Sequence, residues 1–263
     1  VTRLVRAELR KLRTTRLWWG LALGIASTSA AIAALTGLTA GIDTGAGATP
    51  GVDDPATVRS VYTAGLGVAY LFALALGVIG MAGEYRHQTI SATLLGSPRR
   101  ARVVVAKLVA LSLAGIGYGV LTVVSGMAVG VPILLVKGAP LRLASDGIPR
   151  ALVLAVLAVA LWAVLGLGVG TLIRNQIVAL LVGVGVAWIA EPVLAIALNA
   201  LDVGSVARFL PSQATTAIVT PPSTAGSFSV EYLPWWGGAL VLLGYAAVSG
   251  AAGAALTLRR DVT

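Results

Sequence analysis

The sequence contains no cysteine, a single histidine and few charged residues, 11% of its 263. Without cysteine there is no disulfide framework, no thiolate zinc site, no thiol nucleophile and no lipidated cysteine. His87 alone builds neither a metal site nor a catalytic triad. A soluble domain carries roughly 25% charged residues, so this chain has too few to cover a globule in water. A G-x-x-x-x-G-K-[ST] phosphate loop is also missing, which excludes ATP hydrolysis by this chain alone. The glycine run GIGYG at 115–119 has no strand before it, lies inside an apolar stretch and reads as close helix packing.

What fills the chain instead is apolar: 57% of residues are hydrophobic and the mean hydropathy is +0.93. Six apolar runs stand out, at 17–40, 62–83, 103–136, 151–173, 177–198 and 235–258. Each is long enough to cross a hydrocarbon core of ~30 Å as a helix rising ~1.5 Å per residue. The third is longer than needed, so its first turns are expected to protrude. The first run exceeds the apolar core of a signal peptide and reads as a retained helix. Trp18, Trp19, Trp235 and Trp236 stand at run ends, where indoles favour the interface. The predicted fold is therefore all-α and integral to a membrane, with one domain over 1–263.

The net charge of +9 is sorted by side. Lysines and arginines cluster before the first run, between the second and third, after the fourth and after the sixth. This asymmetry places both termini in the cytoplasm by the positive-inside rule. Basic residues flank apolar spans and do not interleave with aromatics, which points to topology and not to nucleic acid. Residues 41–61, rich in Gly, Ala and Asp, read as an irregular outer loop. The partly apolar segment 199–234 reads as short helices folded back onto the membrane surface. The arginine-rich, Ala-, Gly- and Val-rich composition suits a bacterial genome of high GC content.

Two segments carry more than topology. In 1–16, Val5, Leu9 and Leu12 share one helical face, while Arg3, Arg6, Arg10 and Arg13 share another. That pattern predicts an amphipathic helix at the membrane surface, its basic side toward headgroups or an acidic partner. In 84–102, a short helix near 88–95 with Ile90 and Leu94 four apart is followed by Gly96, suited to a left-handed cap. Ser97 and Pro98 then fit the N-cap and first position of the next helix. Helix, glycine, Ser-Pro, helix makes an elbow. Arg99, Arg100 and Arg102 occupy the start of the following helix, where the macrodipole disfavours cations, so an anionic surface is expected against them. Within the spans one acid stands out, Glu191, followed by Pro192. It reads either as an outer gate or substrate contact, or as a solvated rim residue exposed where Pro192 breaks the helix.

With these residues in view, the chain resembles the ABC-2 type permeases, the membrane subunits of ATP-binding-cassette exporters. The family's pattern between its second and third helices is matched by Glu84, Arg86, Thr89, Leu94, Leu95, Pro98, Arg102 and Lys107, with Gln88 departing from the usual glycine. ELRKLRTTRLWW (8–19), GLGVGTLIRN (166–175), RFLPSQA (208–214) and LRRD (258–261) look like further family segments in the right order. The resemblance implies that the elbow is a coupling helix docking into an ATPase subunit, with Ile90, Leu94 and Leu95 in the groove and Glu84, Arg86 and Arg102 in polar contact. It implies two ATPase copies holding ATP and Mg, a second permease copy or paralogue, a plasma-membrane location, and no cofactor on this chain. The spans, with Tyr70, Tyr118, Thr122 and Ser125 as lining candidates, suit export of a small amphipathic molecule such as a drug, antibiotic or lipid. An ion-coupled carrier or a membrane scaffold stands as the alternative.

Overall fold

The computed structural model describes residues 2–42, 50–86, 100–173, 175–201, 203–220 and 232–260, and among them it contains helices and no strand. In chain order the helices are α1 (Thr2–Thr14), α2 (Leu17–Thr39), α3 (Pro55–Thr63), α4 (Leu66–Arg86), α5 (Arg100–Val136), α6 (Ile148–Leu172), α7 (Gln176–Gly185), α8 (Glu191–Ala200), α9 (Gly204–Ala207), α10 (Pro211–Val219) and α11 (Trp235–Arg260). A π-helical turn, Val186–Ala190, joins α7 to α8 without a loop. Among the described residues six helical stretches are long and apolar enough to cross a membrane: Leu17–Thr39, Pro55–Glu84, Arg102–Val136, Ile148–Leu172, Gln176–Ala200 and Trp235–Ala255.

The expected irregular loop over 41–61 is corrected at its C-terminal end. Asp54 stands as N-cap, its carboxylate accepting from the Ala56 amide at 2.8 Å, and Pro55 takes the first helical position. Both favour helix initiation, so α3 forms where a loop was expected. Its Val58, Val61 and Tyr62 are fully buried against Leu134, Ala139 and Ile148. The second span is thus two helices, α3 and α4, interrupted at Ala64 and Gly65.

Helix α6 is the hub. It packs against α4, α5 and α11 along its length, and against α3 and α10 as well. Small residues allow this. A side chain at Gly77 of α4 would collide with the Ala163 carbonyl of α6, and one at Gly166 of α6 with the Leu74 carbonyl of α4. The two backbones therefore meet at glycines contributed from each side, as membrane helices do when small residues line the contact. Gly115 and Gly119 of α5 face Ala160 and Val156 of α6 in the same way, which is the packing role read for the GIGYG run. By contrast α2, α5 and the α7–α8 rod turn wide apolar faces outward, including Leu23, Val124, Leu181 and Ile196. Lipid is the solvent that such faces require. The indoles of Trp18, Trp19, Trp235 and Trp236 are exposed at the starts of α2 and α11.

The segment expected to lie on the membrane surface is corrected too. Its short helices α9 and α10 exist, but Ala214, Thr215, Ala217, Ile218 and Val219 of α10 are buried, packed on α6 and α11. The apolar stripe of that segment is long enough to reward insertion between helices over lying flat.

Candidate functional site

At the basic end of the molecule the first residues of α5 and the last of α4 come together with α1. The connecting residues 87–99 lie outside the described part of the chain, so Thr89, Ile90, Leu94, Leu95 and Pro98 have no described position. Arg86 closes α4, its side chain outside the description, and Arg102 is exposed on the first turns of α5. Glu84, which the resemblance implied in polar contact with an ATPase subunit, is buried within the fold.

Glu84 belongs to a cluster of four charges. The Lys107 ammonium of α5 donates to Glu8 Oε2 at 2.7 Å, to Glu84 Oε1 at 2.9 Å and to the Gly80 carbonyl at 3.1 Å. Lys11 donates to Glu8 Oε1 at 2.7 Å and to Glu84 Oε1 at 3.0 Å. The Lys107 side chain is 7% exposed and that of Lys11 47%. Two carboxylates and two ammonium groups cancel, and all three Lys107 donors are used, which is the condition for burying charge at tolerable cost.

Helical spacing builds this arrangement. Glu8 and Lys11 are three apart on α1 and share a face. Gly80 and Glu84 are four apart on α4, and Lys107 and Leu111 four apart on α5; Leu111 lies against Gly80, whose missing side chain lets α5 close on α4. Burial works to raise the Glu8 carboxyl, but Lys107 and Lys11 outweigh it and hold it below the ordinary carboxylate value. Burial likewise works to lower Lys11, and its hydrogen bonds to Glu8 and Glu84 win, holding it above the ordinary lysine value.

Sequence reasoning missed Glu8 and Lys11, and took Lys107 for a motif position without a structural partner. A signal was there. Glu8 stands one turn from Leu4, Val5 and Leu12, inside the apolar stripe of α1, where an acid needs a partner from another helix.

A second cluster lies toward the other end. Glu191 is 4% exposed, so its reading as a solvated rim residue is corrected. Its carboxylate accepts the Ser212 amide of α10 at 2.7 Å. The N-cap position of α10, Leu210, offers no side-chain cap, so Glu191 supplies one from a neighbouring rod. Pro192 does not break the helix. It sits in the first turn of α8, and the irregularity it causes is the π-helical turn ahead of it. Proline lacks an N–H and crowds the carbonyl four residues back, and the widened turn accommodates this. Ala179, Gly183, Ala187 and Glu191, four apart, then all fall on the buried side of an otherwise exposed rod.

The lining candidates are likewise engaged inside the fold. Tyr70 stacks on Trp162 with ring centroids 4.5 Å apart, and the Trp162 indole donates to Thr215 of α10 at 2.7 Å. The Tyr118 hydroxyl donates to the Trp18 carbonyl at 2.8 Å, Thr122 to the Tyr118 carbonyl at 2.8 Å and Ser125 to the Leu121 carbonyl at 2.7 Å. Among the described residues no group of three or more His, Cys, Asp or Glu side chains is placed to hold a metal ion.

Comparison with known proteins adds one finding. A family model described as ABC-2 family transporter protein matches residues 4–262, nearly the whole chain. No curated protein sequence matches.

Proposed function

The chain belongs to the ABC-2 transporter family, and we propose that it is the permease of an ATP-driven exporter whose motor is a separate ATPase subunit. ATP and Mg would sit on that partner, present in two copies, and a second permease would complete the pathway in the plasma membrane. Both termini and residues 87–99 would face the cytoplasm, where the motor is. The observation that carries this reading is the Glu8–Lys11–Glu84–Lys107 cluster. It ties the two helices that flank residues 87–99 to each other and to α1. A force applied at the elbow therefore reaches α4 and α5 as one body. Helix α4 in turn meets α6, the hub, glycine to backbone, so movement at the elbow is passed to the centre of the bundle.

On this reading Ile90, Leu94 and Leu95 enter a groove on the ATPase, with Arg86 and Arg102 beside them, while Glu84 serves from within by fixing the elbow's root. Glu191 holds α10 against α8 and so closes the outer end. The cargo is a small amphipathic molecule. The deciding experiment is co-purification with the cognate ATPase from membranes. Leu94→Ala/Leu95→Ala is expected to insert normally and to lose the ATPase. Undiminished co-purification of that double variant counts against the assignment. Transport that needs a proton gradient and no ATP would favour the ion-coupled carrier instead.

A further inference from the structure

The basic end of the chain holds three acids, Glu8, Glu84 and Asp261, and the two glutamates are consumed by the two lysines of that end, Lys11 and Lys107. The arginines are left over. On α1, Arg3, Arg6, Arg10 and Arg13, with Arg16 just beyond, recur every three or four residues and are all exposed. Among the described residues none of the five pairs with a carboxylate. Like charges at this spacing oppose the helix, and Arg3 opposes the dipole of its first turn. A face of this kind needs an anionic neighbour.

Its depth identifies the neighbour. The indole of Trp18, a group that prefers the interface, stands at the start of the first span and donates to the Arg13 carbonyl at 3.0 Å, which fixes the end of α1 at that boundary. The inward face of α1 is spent on the bundle, and the arginines nearest Trp18 are held where headgroup phosphates lie.

We propose that the arginine face of α1 is a binding surface for the phosphate headgroups of anionic phospholipids. The proposal is independent of any ATPase. It is tested on the purified full-length chain alone, reconstituted in phosphatidylcholine, by titrating spin-labelled phosphatidylglycerol against spin-labelled phosphatidylcholine. The wild type is expected to select phosphatidylglycerol, and about 0.5 M salt to weaken that selection. Arg6→Gln/Arg10→Gln/Arg13→Gln is expected to bring it toward parity, with up to about fivefold lost per engaged arginine at low salt. Lysines at the same three positions are expected to keep most of it. Arg150→Gln, an exposed cation at the other end, is expected to leave it unchanged. Equal affinity in the wild type, an unaltered preference in the glutamine variant, or an equal loss from Arg150→Gln or from the lysine variant each overturns the proposal. A glutamine variant that keeps its lipid preference but no longer retains the ATPase would assign the face to an acidic protein surface instead.

Discussion

Lys107 carries three donor hydrogens and meets three acceptors on two other helices, Glu8, Glu84 and Gly80. Removing it leaves two carboxylates buried with a single half-exposed lysine between them. Lys107→Ala is therefore expected to lower stability by about 3–5 kcal/mol, read by thermal unfolding in detergent. Lys11→Ala, at the solvent edge, is expected to cost no more than about 1 kcal/mol in the same assay. The pH response follows from the two shifts with opposite signs. The Glu8 carboxyl is held low, so its contribution is complete above the ordinary carboxylate range and is lost as pH falls through its lowered value. Lys11 is held high, so its contribution is complete below the ordinary lysine range and is lost as pH rises through its raised value. A spin-label pair at Ala7→Cys and Val105→Cys is thus expected to report a constant α1–α5 distance from about pH 5 to about pH 10. Undocking well inside that window would show that Glu8 and Lys11 do not hold α1.

At the scale of elements, α10 depends on a cap it does not carry. Glu191→Ala removes the acceptor of the part-buried Ser212 amide, a cost of about 1–3 kcal/mol. Hydrogen exchange at the first turn of α10 is expected to quicken in Glu191→Ala and to change little in Glu191→Gln, whose amide oxygen still accepts. Unchanged exchange in the alanine variant would remove the capping role. The α4–α6 seam makes the opposite demand, for absence of side chains. Gly77→Leu forces two backbones apart and is expected to destabilise the bundle by at least about 1–3 kcal/mol, measured by thermal unfolding. These elements differ in how far the sequence exposes them. The glycine seam is visible as small residues inside apolar runs. The α10 cap is not, because it joins residues 21 apart, across α8 and α9, and leaves no mark in the hydropathy pattern.

At the scale of the whole molecule, absence of cysteine makes topology directly measurable. Single cysteines at Ala7 and at Ser145, both in otherwise unchanged chains, are expected to react with an impermeant maleimide from opposite sides of the membrane, Ala7 from the cytoplasm. Labelling of both from one side would contradict the orientation taken from the basic residues. The same molecule-wide view explains why α1 matters to the proposed coupling. It is the single described element that touches the roots of both α4 and α5 through charge, while its arginine face stays exposed.

Composition and period were enough to determine the six spans, the sorted basic residues and the amphipathic α1, because hydropathy and charge act locally and survive any arrangement of the helices. The fate of particular charges was decided in three dimensions. Glu8 reads as one acid among arginines until Lys107, on a helix 99 residues away, is brought against it. Glu191 reads as a rim residue until the turn before Pro192 rotates it inward and α10 arrives to be capped. A carboxylate's partner depends on which helices lie side by side, and that is set by glycine seams and apolar faces acting across the whole bundle. The chain thus announces on its surface that it spans a membrane, and keeps the joint between α1, α4 and α5 for the folded state.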